Sequence, residues 1–83
     1  MQAAHKNQYE QMTLKNLRAM VDSIPGMLRT RAVPDGNLNL DKSKAELVGD
    51  MCARDARDVD LAEQGQLSQD DARLFVSRHP GRA

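Results

Sequence analysis

Leu14, Leu17, Val21, Ile24 and Leu28 recur at steps of three and four, the spacing that lays side chains as one stripe along a helix. Large aliphatic residues are scarce elsewhere, so whatever covers this stripe decides what the chain can fold into. Pro25 and Gly26 interrupt it. Proline restricts the residue before it and glycine loosens the backbone, so the helix ends or kinks there and Leu28 passes to the next segment. A coiled coil sustained over three heptads is thereby excluded.

Eighty-three residues are expected to form a single small domain, 1–83, with frayed ends at about 1–5 and 79–83. Leu, Val, Ile and Met number twenty, alanines ten, and the aromatics are Tyr9 and Phe75 alone. Such a thin, methionine-rich core fits a mainly α, small three-helix domain better than a sandwich or barrel, and it favours a homodimer. A lone cysteine, Cys52, makes no internal disulfide and fits a cytoplasmic location. Met1 to Glu10 lacks the apolar run of a leader, and no stretch approaches the roughly 20 apolar residues of a membrane span.

The first helix is expected from about His5 to Ser23, widened by Tyr9, Met12 and Met20. Pro34, Asp35 and Gly36 supply turn chemistry between Met27–Val33 and the alternating Asn37–Leu40. Two readings stay open for 27–40: a short β-hairpin between the first and second helices, or an irregular connection with Leu38 and Leu40 tucked against the helices. Asp41 or Ser43 caps the second helix, with Glu46 completing a capping box. That helix runs to about Gln64, with Leu47, Val48, Met51, Cys52, Ala56 and Val59 on one side. Asp50, Arg54, Asp55, Arg57 and Asp58 take the other side, which reads as solvated. Gly65 ends it, Ser68 and Asp71 form a second box, and a third helix spans Gln69 to about Arg78, burying Leu74 and Phe75.

The twelve basic and twelve acidic side chains cancel, but not evenly. Residues 1–34 hold five basic and two acidic groups, 35–63 four and eight, and 64–83 three and two. No global field therefore draws the chain to nucleic acid or lipid. An enzyme is not expected, nor a cofactor or metal. His5, His79 and Cys52 are scattered and read as surface, surface and buried structural thiol, and the five glycines are isolated rather than grouped in a phosphate loop. Asp60, Gly65 and Asp71 fall at the first, sixth and twelfth positions of an EF-hand loop, which this stretch resembles in spacing. Ala62, Gln64 and the short Asp71 depart from the oxygen set that calcium needs, and a helix end followed by a capped start accounts for the same residues.

Leu-Arg-Ala-Met-Val-Asp-Ser-Ile-Pro-Gly-Met from Leu17, then Pro-Asp-Gly-Asn-Leu, then Ala-Glu-Leu-Val-Gly, resembles the opening of a PAS sensory domain, where a helix enters the first hairpin. The likeness covers about two-fifths of the chain and implies the hairpin and a signalling context, with no ligand residues; the stretch after Gly49 is too short for the remaining strands. Asn37–Leu40 before two helices also resembles the ribbon-helix-helix DNA-binding pattern, although the helix after it is too long and too acidic. The function expected is a non-enzymatic protein-binding regulator or adaptor. Its partner is another protein or a second copy, held by Leu14, Leu17, Val21 and Ile24 with Lys15, Arg18, Arg29 and Arg31 at the rim. The alternative is a small dimeric DNA-binding regulator that uses the arginine cluster.

Overall fold

The computed structural model describes residues 2–32 and 39–80, with side chains described for 6–31 and 40–80. The Pro34-Asp35-Gly36 turn, Leu38, the His5 side chain and residues 81–83 lie outside this range. The protein is mainly helical with a short antiparallel hairpin. Its elements in order are α1 (Gln2–Glu10), α2 (Leu14–Asp22), β1 (Thr30–Ala32), β2 (Asn39–Asp41), α3 (Lys44–Glu63) and α4 (Gln69–Arg78). The chain falls into two compact units, Met1–Cys52 and Ala53–Ala83. Among the described residues no helix is long and apolar enough to cross a membrane.

The helix expected over His5–Ser23 is in fact two helices, so the described chain has four helices where three were expected. Thr13 is the reason. Its backbone is extended (φ −70°, ψ 155°), its Oγ1 accepts from the Asn16 amide, and its carbonyl accepts from Leu17 N–H at 2.9 Å. A β-branched hydroxyl residue is a better N-cap than helix interior, and here the cap wins. At the other end of α2 the Ser23 amide and hydroxyl return to the last turn, the hydroxyl donating to the Met20 carbonyl at 2.7 Å. Ile24 to Met27 then form a turn closed by Met27 N–H donating to Ile24 O at 3.2 Å. Pro25 occupies its second position and Gly26, at φ 85°, its third, the left-handed conformation that this turn requires of glycine.

Within the first unit β1 and β2 pair with Thr30 opposite Asp41, Arg31 opposite Leu40 and Ala32 opposite Asn39. Lys42 N–H donates to Arg29 O at 2.9 Å and extends the ladder by one bond. Of the two readings for 27–40 the strands favour the hairpin, and Leu40 is half exposed rather than tucked away. Tyr9, Leu17, Val21, Ile24, Leu47, Val48 and Met51 form the core of this unit.

Ser43 rather than Asp41 starts α3. Its Oγ accepts from the Glu46 amide at 3.2 Å while Glu46 Oε1 accepts from the Ser43 amide at 3.3 Å, a complete capping box. The helix stops at Glu63, where Gly65 (φ 70°) donates to Ala62 O and Gln66 to Leu61 O, the paired bonds of a Schellman ending. Ser68 caps α4 by accepting from the Asp71 amide at 3.1 Å. The Asp71 carboxylate faces arginines of α3, Arg54 Nη2 at 2.7 Å and Arg57 Nη1 at 3.6 Å.

The interior of the second unit differs from expectation. Asp55 and Asp58, which the sequence pattern assigns to a solvated face, are buried, as are Arg78 and His79, where the sequence predicts a frayed end and a surface histidine. Leu74 and Phe75 are only half-buried. The helical repeat explains α3: Leu47, Val48, Met51, Asp55 and Asp58 follow one inward stripe whose chemistry changes from apolar to acidic halfway along.

Candidate functional site

The outward side of α2 brings together four of the eight residues expected at a binding surface. Leu14, Lys15, Arg18 and Arg29, with Ala19 and Asp22, line a shallow depression of about 310 Å³ in the first unit. The N-cap at Thr13 sets where Leu14 and Lys15 emerge, and the turn at Pro25-Gly26 brings Arg29 back alongside Asp22. Leu17 and Val21, on the adjoining face of the same helix, and Ile24, just past its end, are enclosed by the unit's own core, with exposures of 0, 0 and 2%. Arg31 stands apart, 3.9 Å from Glu46 on α3.

Charge in the depression is partly balanced. Arg29 Nε lies 3.6 Å from Asp22, and Arg18 Nη2 lies 3.5 Å from Asp41 on β2. Arg18 Nε is buried with no acceptor, the one such described side-chain atom. An unsatisfied buried donor costs about 1–3 kcal/mol, so this guanidinium gains when an acceptor is brought to it. Lys15 is exposed and among the described residues has no ion-pair partner. The nearest apolar surface is the half-buried Leu14, and Leu28 stands 67% exposed, the most exposed large apolar side chain described. Sequence reasoning missed Ala19, next to Arg18, and Asp22, one helical turn beyond it, which are exposed and carry no periodic signal of their own.

The second unit holds the densest set of functional groups. Asp55 Oδ1 accepts from Arg78 Nη2 at 2.8 Å and Nε at 3.2 Å, and its Oδ2 lies 2.9 Å from His79 Nε2. Asp58 takes Arg78 Nη2 at 3.2 Å, Arg54 Nε at 3.2 Å and Arg57 Nη1 at 2.9 Å. Phe75 covers the outer side, its ring centroid 4.9 Å from that of His79 and 5.7 Å from the Arg78 guanidinium carbon. An aspartate and a histidine in contact are the beginning of a catalytic pair, but both oxygens of Asp55 are engaged by the cluster. Three arginines meet three aspartates here, Asp71 included, so the cluster neutralises itself and has the chemistry of a structural ionic core.

Among the described residues no three His, Cys, Asp or Glu side chains are placed to hold a metal ion. In the stretch with EF-hand spacing, Asp60 accepts from Gln64 Nε2 at 3.1 Å and Asp71 is committed to Arg54. Cys52 is half-buried on α3 and forms no disulfide. No protein-family model, curated protein or solved structure matches the chain.

Proposed function

We propose that the chain is a non-enzymatic protein-binding regulator or adaptor that associates with a second copy of itself through the outward side of α2. The observation that carries this reading is the depression in which Leu14 and Ala19 lie among Lys15, Arg18 and Arg29, three cations against the single carboxylate of Asp22. Acidic groups suited to that rim exist on the same chain. Asp60, Glu63 and Asp70 are exposed and, among the described residues, have no cationic partner. The buried leucine stripe then serves as the platform that holds the surface, and Leu17, Val21 and Ile24 act in folding rather than contact.

Sedimentation equilibrium over a concentration series tests the reading. The expected result is a reversible dimer, weakened at least about tenfold by Leu14→Glu with Lys15→Glu while helix content is retained. A monomer at every concentration, or a dimer indifferent to those changes, overturns it. Duplex DNA binding that falls steeply with salt and is lost in Arg29→Ala and Arg31→Ala would replace it with the nucleic-acid regulator. The engagement of Arg18, Arg29 and Arg31 by Asp41, Asp22 and Glu46 weighs against that outcome.

A further inference from the structure

A cavity of about 570 Å³ lies between α1 and the first half of α3, wholly within the first unit and lined by none of the residues of the α2 depression. Its floor is α3, with Ala45, Val48, Gly49 and Cys52; Lys6 and Glu10 from α1 and Lys44 from the start of α3 also line it among the described residues. This volume lies within the range of small-molecule sites, about 300–1,000 Å³, and its mix of an apolar floor with a few polar groups is their usual composition.

Gly49 gives the cavity its meaning. It sits inside a 20-residue helix, where glycine is a poor helix former, and a Cβ built on it meets nothing within 4 Å. The protein's own packing therefore does not require glycine there. What glycine does provide is a bare stretch of helix surface on the cavity floor, against which a chain of methylenes can lie closely.

The charges select the other end of the ligand. Among the described residues two lysines and one glutamate give the lining one net positive charge, and none of the three has an ion-pair partner. The lysines stand one on each helix that lines the cavity and supply its cationic groups, while Glu10 disfavours a doubly charged phosphate. From Ala45 to Cys52 the helix rises about 10 Å, the span of a medium-length alkyl chain. We propose that this cavity binds a single-chain aliphatic carboxylate, its chain along Ala45, Val48 and Gly49 and its head group at Lys6 and Lys44. The proposal is independent of self-association through α2.

Titration calorimetry of the full chain with decanoate and decylammonium, each below its micelle concentration, is the test, with neutral and anionic phospholipid vesicles as a further arm. Decanoate should bind at one per chain and at least about tenfold more tightly than the ammonium. Gly49→Leu should weaken decanoate at least about tenfold while the variant melts above the parent, because leucine is the better helix former; lost binding is then not lost folding. Lys6→Glu with Lys44→Glu should reverse the preference toward the ammonium. Failure of decanoate to bind, equal binding of the two amphiphiles, or unchanged binding in Gly49→Leu overturns the proposal. Binding to anionic vesicles in preference to free decanoate also overturns it and assigns the lysines to a membrane surface.

Discussion

The two units bury opposite chemistries along one helix. In Met1–Cys52 the buried side chains include Leu17, Val21, Leu47 and Met51, all apolar; in Ala53–Ala83 the buried side chains among the described residues are Asp55, Asp58, Arg78 and His79. Burial of apolar surface is favourable for each residue separately, at about 25 cal/mol per Å². Burial of charge is unfavourable for each residue separately and is offset only when every member has its partner. The first unit is thus stabilised by a sum of contributions. The second depends on a set that functions only when complete.

The largest effect expected is the removal of one member of that set. Asp55→Ala removes the carboxylate that both Arg78 and His79 contact and should destabilise by about 3–5 kcal/mol in urea unfolding. Amide hydrogen exchange should place the loss in α4 and the Ala53–Glu63 part of α3. Replacing Asp55 and Asp58 with Leu and Arg78 with Met together should recover most of that stability, since a well-packed apolar set of similar volume is often neutral or better. A triple variant no more stable than Asp55→Ala would break the contrast.

Next comes Leu17→Ala, expected to remove about 2–5 kcal/mol through lost burial and the cavity left behind, while Leu17→Met should stay below about 1.5 kcal/mol. Its exchange signature belongs in α2 and the Lys44–Cys52 part of α3. That graded response to size, set beside the all-or-none response at Asp55, sharpens the difference between sum and set. Smallest are the helix starts. Ser43→Ala and Ser68→Ala should each cost about 1 kcal/mol, and near-equality would show that capping is indifferent to the kind of core beneath it. Thermal melts of the two variants under identical conditions provide the comparison.

Much of this was readable in the residues. Ser43 with Glu46, Gly65, and Ser68 announce the ends of α3 and the start of α4 through local bonds that sequence alone specifies. The buried partners Leu17 and Val21 follow from period. Thr13 was harder, because a threonine within a run of good helix formers looks tolerable until its hydroxyl is seen to accept from Asn16. Asp55 and Asp58 were least legible, since an aspartate on an inward stripe reads as surface unless its partners are known. Arg54 and Arg57 are near Asp58 in the chain, but the partners that enclose the pair, Arg78 and His79, lie 20 to 24 residues away at the end of α4, where they precede Pro80 and resemble an ordinary helix tail. The candidate surface on α2 was half legible for a related reason: periodicity identifies a helix face but does not say whether that face points inward.

Asp55, Asp58 and Arg78 also bear on how this chain can drift in sequence. An apolar interior can wander through neighbouring states, Leu to Met to Ile, with each intermediate still folded. An interlocked ionic interior has no such path, because every single exchange strands a charge and only a concerted replacement reaches another stable solution. The second half of the molecule is accordingly the part in which descent would leave its mark as a block, inherited whole or replaced whole, while the first half would blur residue by residue.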